Sequence, residues 1–200
     1  LTIPSLSTAD PTQLFVHLRI VMGTVIGLGI ARMLIGFAGI IQHPGRARLS
    51  ATHLLWAGSI FLTLIQFWWW EFALFTVTSW TFGAFVFLIA YCTALFLLCV
   101  LLFPDDIKEY AGYEDFFMSR RAWFFGLFAL TIIFDIFDSG LKGWDYLHQL
   151  DVEYLIQVPI SLALCAIAVF TRNRKYHLIF AIAQIAYQFT WIARLFYTTS

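Results

Sequence analysis

The sequence predicts an all-α integral membrane protein, a bundle of six transmembrane helices with one short interfacial amphipathic segment. Three observations carry that reading. Apolar runs of about 20 residues, the length that crosses a hydrocarbon core of about 30 Å, recur along almost the whole chain. Composition is 61% hydrophobic and 12% charged, where a soluble domain holds about a quarter charged residues. The runs are continuously apolar and about twice the length of a barrel strand, which excludes the alternating pattern of a membrane β-barrel.

Residues 1–14, with Pro4, Ser5, Ser7 and Pro11, form an extended arm. The arm lacks a basic n-region and a small-residue cleavage site, so it is not read as a signal peptide. Residues 15–200 form the six-helix domain. Its spans are Phe15 to Ile41, His53 to Val77, Phe82 to Phe103, Ala122 to Leu141, Val152 to Phe170 and Tyr176 to Tyr197. Polar punctuation separates them: His43 to Arg46, Thr78 to Thr81, Pro104 to Arg121, Lys142 to Asp145, and Thr171 to Lys175.

Passing through the spans in order puts Arg46, Arg48, Lys108, Arg120, Arg121, Arg172, Arg174 and Lys175 on one side. The other side holds only Arg19, Lys142 and Arg194, all near span ends. The positive-inside rule makes the first side cytoplasmic and both termini external. Trp68, Trp69, Trp70, Trp80, Trp144, Tyr146 and Tyr197 gather at the outer face, and Tyr110, Tyr113, Trp123 and Tyr176 at the inner one, as two aromatic belts. Three consecutive tryptophans project around most of a helix, so at least one is expected to face the bundle or a partner.

In the first span Gly23, Gly27 and Ala31 recur every fourth residue, joined by Gly36 and Gly39. Such a stripe lets backbones approach, either within the chain or across a homo-oligomer seam. Between Pro104 and Arg121, Asp105, Asp106, Glu109, Glu114 and Asp115 alternate with Ile107, Tyr110, Tyr113, Phe116 and Phe117. This suits a short helix in the cytoplasmic interface whose acids pair with Arg120, Arg121, Arg46 or Arg48.

Phe103-Pro104-Asp105 followed by Arg120-Arg121-Ala122-Trp123-Phe124-Phe125, with Ala31-Arg32-Met33-Leu34, His53-Leu54-Leu55-Trp56 and Gln66-Phe67-Trp68-Trp69 upstream, resembles a family of uncharacterised bacterial polytopic inner-membrane proteins. The resemblance spans most of the first four helices. It implies a bacterial inner membrane and no particular activity.

Ionisable residues inside a span are functional hypotheses by default. Arg32 lies roughly 13 Å from the cytoplasmic end of its span, too deep to snorkel, and is expected to face the bundle interior. Asp135 lies about 20 Å into the fourth span, and Asp138, three residues on, shares its face. Glu71 and Arg194 arrive at similar outer depth, which pairs Arg194 with Glu71 or Asp138. Gln66, Gln157, Gln184 and Gln188 add polar groups to spans two, five and six, and Pro159 is positioned to kink the fifth. These residues form either a hydrated path in which Arg32 and Asp135 handle a charged solute or proton, or a paired network that sets helix register.

Other chemistries find less support. Zero formal net charge argues against nucleic acid as a partner. Cys92, Cys99 and Cys165 lie in apolar spans without CxxC spacing and read as packing residues. His53 and His177 match in depth, and His53-Leu54-Leu55-Trp56 against His177-Leu178-Ile179-Phe180 suggests a faint internal repeat. A second ligand pair for bis-His haem is missing, and Lys108, Lys142 and Lys175 sit in loops, away from any intramembrane Schiff base. No GxSxG, HExxH, Walker or dinucleotide motif occurs. The expectation is a non-enzymatic protein with no cofactor, transporter-like or channel-like with a polar intramembrane path. The alternative is an accessory or scaffold subunit that packs Trp68, Trp69, Trp70, Gly23 and Gly27 against a larger membrane complex or a second copy.

Overall fold

The computed structural model describes residues 11–77, 80–143 and 152–198, and every regular element among them is helical. Helix α1 spans Pro11–Gln42, α2 Ala51–Trp70, α3 Phe82–Val100, α4 Tyr113–Leu141, α5 Val152–Phe170 and α6 Arg174–Thr198. Short 3-10 turns follow α2 at Glu71–Thr76 and precede α4 at Ile107–Glu109. The helix starts are written in the sequence. The Ser50 hydroxyl accepts from the amide of His53 at the head of α2, and Thr81 Oγ1 accepts from the amide of Ala84 at 3.1 Å at the head of α3, each satisfying a donor that a helix N-terminus leaves orphaned.

Among the described residues five helices, α1, α2 with its following turn, α3, α4 and α5, are long and apolar enough to cross a membrane. The 25-residue α6 has the length but is not one of these five. Sequence and structure differ in two further places. Helix α1 already begins at Pro11, so residues 11–14 of the expected arm are helical; residues 1–10 lie outside the described residues. The expected interfacial helix between Pro104 and Arg121 is split: its first half makes only the 3-10 turn, and from Tyr113 onward it is the opening of α4. Gly112, at φ 153° and with the Arg48 carbonyl 2.9 Å from where a Cβ would stand, makes that break. The Tyr113 amide donates to the same carbonyl at 3.0 Å, which ties the two basic-side loops together.

Helix α2 is the hub, touching α1, α3, α4 and α6, while α1 lies chiefly along α3 and α5 along α4. At its centre Trp56 is fully buried, ringed edge-on by Phe124, Phe125, Phe128 and Phe180 at 5.1–5.4 Å between centroids. The faint repeat therefore has a structural counterpart, since Trp56 and Phe180, three residues after their respective histidines, meet in one aromatic cluster.

The small-residue stripe on α1 is used differently from the expected four-residue pattern. A Cβ on Gly27 would meet nothing within 4 Å, and one on Gly23 would meet the Trp68 ring at 3.2 Å rather than a helix backbone. Close approach to α3 occurs instead at Gly29, where a Cβ would stand 3.7 Å from the Phe96 Cα, and a Cβ on Gly36 would run into the ring of Phe103 just beyond α3. We expect Gly36→Ala to cost about 1–3 kcal/mol by forcing Phe103 aside. Gly27→Ala in the isolated chain should be neutral or stabilising by up to about 1 kcal/mol through helix propensity. Unfolding of both variants in mild detergent checks this, and equal effects would contradict the assigned packing.

Candidate functional site

Polar side chains collect in two layers at opposite ends of the aromatic core. In the layer at the C-terminal ends of α2 and α4, Lys142 Nζ donates to Asp138 Oδ2 at 2.5 Å and to Glu71 Oε1 at 3.2 Å. All three side chains are nearly inaccessible, at 3%, 2% and 6% exposure. The arrangement follows from local geometry: Asp138 and Lys142 are one helical turn apart, and the tightened turn after Trp70 swings Glu71 inward. One ammonium thus serves two carboxylates. The second oxygens, Glu71 Oε2 and Asp138 Oδ1, are shielded without a hydrogen-bond partner.

Asp135 belongs to the same layer but turns to α5, where Tyr154 donates its hydroxyl to Oδ2 at 2.8 Å. Two carboxylates three residues apart therefore serve different neighbours. Arg194 does not pair with Glu71 or Asp138 as expected. It grips Glu153 with both terminal nitrogens, at 2.5 and 2.8 Å, and lies 4.9 Å from the Trp191 ring. Glu153 opens α5 on the same side as the end of α6, so the pair staples those helices at a half-exposed rim. Arg19 stacks on Phe72 and Trp68, 4.8 and 5.6 Å from their ring centroids, and lines an open concavity of about 470 Å³ with Gly23, Thr24 and Trp68.

The tryptophan run divides as its helical positions require. Trp68 turns to α1, Trp69 is 56% exposed and Trp70 meets Trp191 of α6 at 6.3 Å. Trp144 and Tyr146, placed in the outer belt by the sequence, lie outside the described residues, as does the side chain of Tyr197.

The opposite layer centres on Arg32. The expectation that Arg32 faces the bundle interior is corrected: Arg32 Nη2 donates to the Phe103 carbonyl at 2.7 Å and to Asp105 Oδ1 at 2.6 Å. Both acceptors belong to the connection between α3 and α4. The physical reason is helix length. At 32 residues, α1 runs about 48 Å, well beyond a hydrocarbon core of about 30 Å. Depth counted inward from its end therefore overstates how far Arg32 is submerged.

Around Arg32 lies a cavity of about 320 Å³ whose wall includes His43, Arg46, Gly36, Gly39 and Tyr113. Arg46 reaches Asp106 at 3.9 Å, and Arg174 reaches Glu114 at 3.5 Å. Of the expected loop pairings, Arg46 is the one realised with an acid. Arg120 donates to the Tyr110 hydroxyl, and Arg121 to the carbonyls of Thr171 and Met118.

Both histidines are held by main-chain oxygens at this end. His53 Nε2 lies 2.5 Å from the Leu102 carbonyl, with its ring stacked on Tyr113. His177 Nε2 lies 3.1 Å from that of Thr171, with its ring stacked on Phe125.

The glutamines that make hydrogen bonds do so on the helices. Gln188 Nε2 donates to the Ser59 carbonyl at 3.1 Å and to Thr63 Oγ1 at 2.9 Å, pinning α6 to α2. Gln157 bonds Ser161 one turn along α5 at 3.4 Å, and α5 is continuous through Pro159. Gln66 is buried on α2 and Gln184 half-buried on α6.

Sequence reasoning missed Tyr154 and Glu153 on α5, the partners of Asp135 and Arg194, and Lys142, taken for a loop cation. Its i, i+4 spacing from Asp138 was the available signal. No family model, curated protein or solved structure matches the chain.

Proposed function

We propose that this protein is a non-enzymatic accessory or scaffold subunit of a larger membrane assembly, in a bacterial inner membrane with both termini outside the cytoplasm. One observation carries the reading: the charged layers are each engaged locally, and between them stands the packed ring of Trp56, Phe124, Phe125, Phe128 and Phe180. Arg32 and Asp135, the two halves of the expected path, bond to different partners on opposite sides of that ring. A network engaged in this way fixes helix register.

Helix α1 supplies the face for assembly. Only 17% of its most apolar window is buried within the chain, against 22% for α5 and 50% for α2, and the open surface at Gly27 lies on it. The alternative, transport of a charged solute, draws support from the cavity that reaches Arg32.

Extraction in mild detergent followed by mass determination of the intact particle tests the proposal. We expect a stoichiometric assembly that Gly27→Leu reduces to the single chain without unfolding it. A lone chain that carries solute flux in proteoliposomes, lost in Arg32→Gln, would replace this reading with the transport one.

A further inference from the structure

We infer that the cavity around Arg32 is a binding site for the phosphate of an anionic phospholipid in the leaflet on the basic side of the protein. This inference is independent of the assembly role. The cavity is built by the end of α1, the loop from His43 to Leu49 and the connection from Phe103 to Ile107. Two guanidinium groups and an imidazole, from Arg32, Arg46 and His43, stand in its wall against one carboxylate, that of Asp105.

Donor capacity remains after the internal contacts are made. A guanidinium carries five N–H donors, and Arg32 makes both of its bonds through Nη2, which leaves Nη1 for a ligand. Arg46 is half-exposed and meets Asp106 only at 3.9 Å. The Arg32 to Asp105 contact already shows where an oxyanion sits against this guanidinium, and Asp105 itself is 92% exposed.

The rim indicates which phosphate. Ile35 and Leu49, 66% and 56% exposed, belong to the cavity wall, and Ile41 beside it is 77% exposed. Exposed branched side chains flanking a cationic pocket suit a molecule with acyl chains below its charge. A soluble anion gains nothing from them. Basic pockets between helices at the headgroup level are the general chemistry of anionic-lipid recognition.

The whole protein is purified in a mild neutral detergent, and retention of phosphatidylglycerol and phosphatidylcholine is measured by native mass spectrometry. Variants Arg46→Gln and Arg172→Gln are compared, the latter removing an exposed arginine on the same face, outside the cavity. We expect one tightly held phosphatidylglycerol, preferred over phosphatidylcholine. Arg46→Gln should weaken it about fivefold, Arg172→Gln should change it less than twofold, and millimolar inorganic phosphate should not displace it. Equal effects of the two variants would reduce the attraction to general surface charge and overturn the site. Displacement by inorganic phosphate would assign the cavity to a soluble anion instead.

Discussion

Lys142→Met is expected to destabilise the bundle by about 3–5 kcal/mol, the cost of leaving buried charge uncompensated. Lys142 is the ammonium between Glu71 and Asp138, and all three side chains are almost fully enclosed. Removing it leaves two carboxylates facing each other across a space that water does not reach. The triple variant Glu71→Gln, Asp138→Asn, Lys142→Met removes the charge altogether and should recover most of the loss, since a buried ion network adds little net stability over neutral packing of similar volume. Unfolding by sodium dodecyl sulfate titration from a mild detergent, followed by circular dichroism, measures both. A single variant within 1 kcal/mol of the parent, or a triple variant no better than the single, would show that the cluster is not held by charge.

The second large effect lies at the aromatic centre. Trp56→Ala is expected to cost about 3–5 kcal/mol, the range for emptying a fully buried aromatic site. In a membrane the loss comes mainly from dispersion contacts and the cavity left behind, because lipid solvates an unpacked tryptophan almost as well as protein does. Trp56→Phe is the informative partner. It retains edge-on contact with the surrounding phenyl rings and removes an indole N–H that is buried without a hydrogen-bond partner, so it should cost under about 1.5 kcal/mol. If the two substitutions cost the same, the ring of phenylalanines does not depend on what fills it.

The helical class and most helix ends were legible because continuous apolar runs of span length have one reading; the caps at Ser50 and Thr81 were an available signal that the hydropathy reading did not use. The ion-pair partners were not. Counting residues from a span end gave Arg32 and Arg194 depths that ignored how far α1 overruns the hydrocarbon and how near Glu153 comes to the end of α6. Lys142 was hidden for a related reason: at the last turn of a helix, sequence alone does not distinguish a cation facing water from one folded back on the carboxylate a turn earlier. The tryptophan run was better resolved, since helical geometry forces three consecutive side chains apart and Trp68, Trp69 and Trp70 take three different surroundings. The glycine stripe misled in part because four-residue spacing marks a face without naming the neighbour, and the tight contacts fall at Gly29, against α3, and at Gly36, against Phe103 just beyond it.

The pairing of α2 with α6 sets an order on how this chain can be made. Gln188 reaches back 129 residues to the Ser59 carbonyl, and Phe180 supplies one side of the cluster around Trp56. During synthesis α2 enters the membrane long before α6 exists, so its Ser59 side must wait in lipid while three further helices emerge. The hub of the bundle is therefore among the first parts inserted and the last to be enclosed. A ribosome halted before α6 leaves a membrane intermediate whose central helix is still open along one side, a substrate for quality-control proteases that the finished protein would not be.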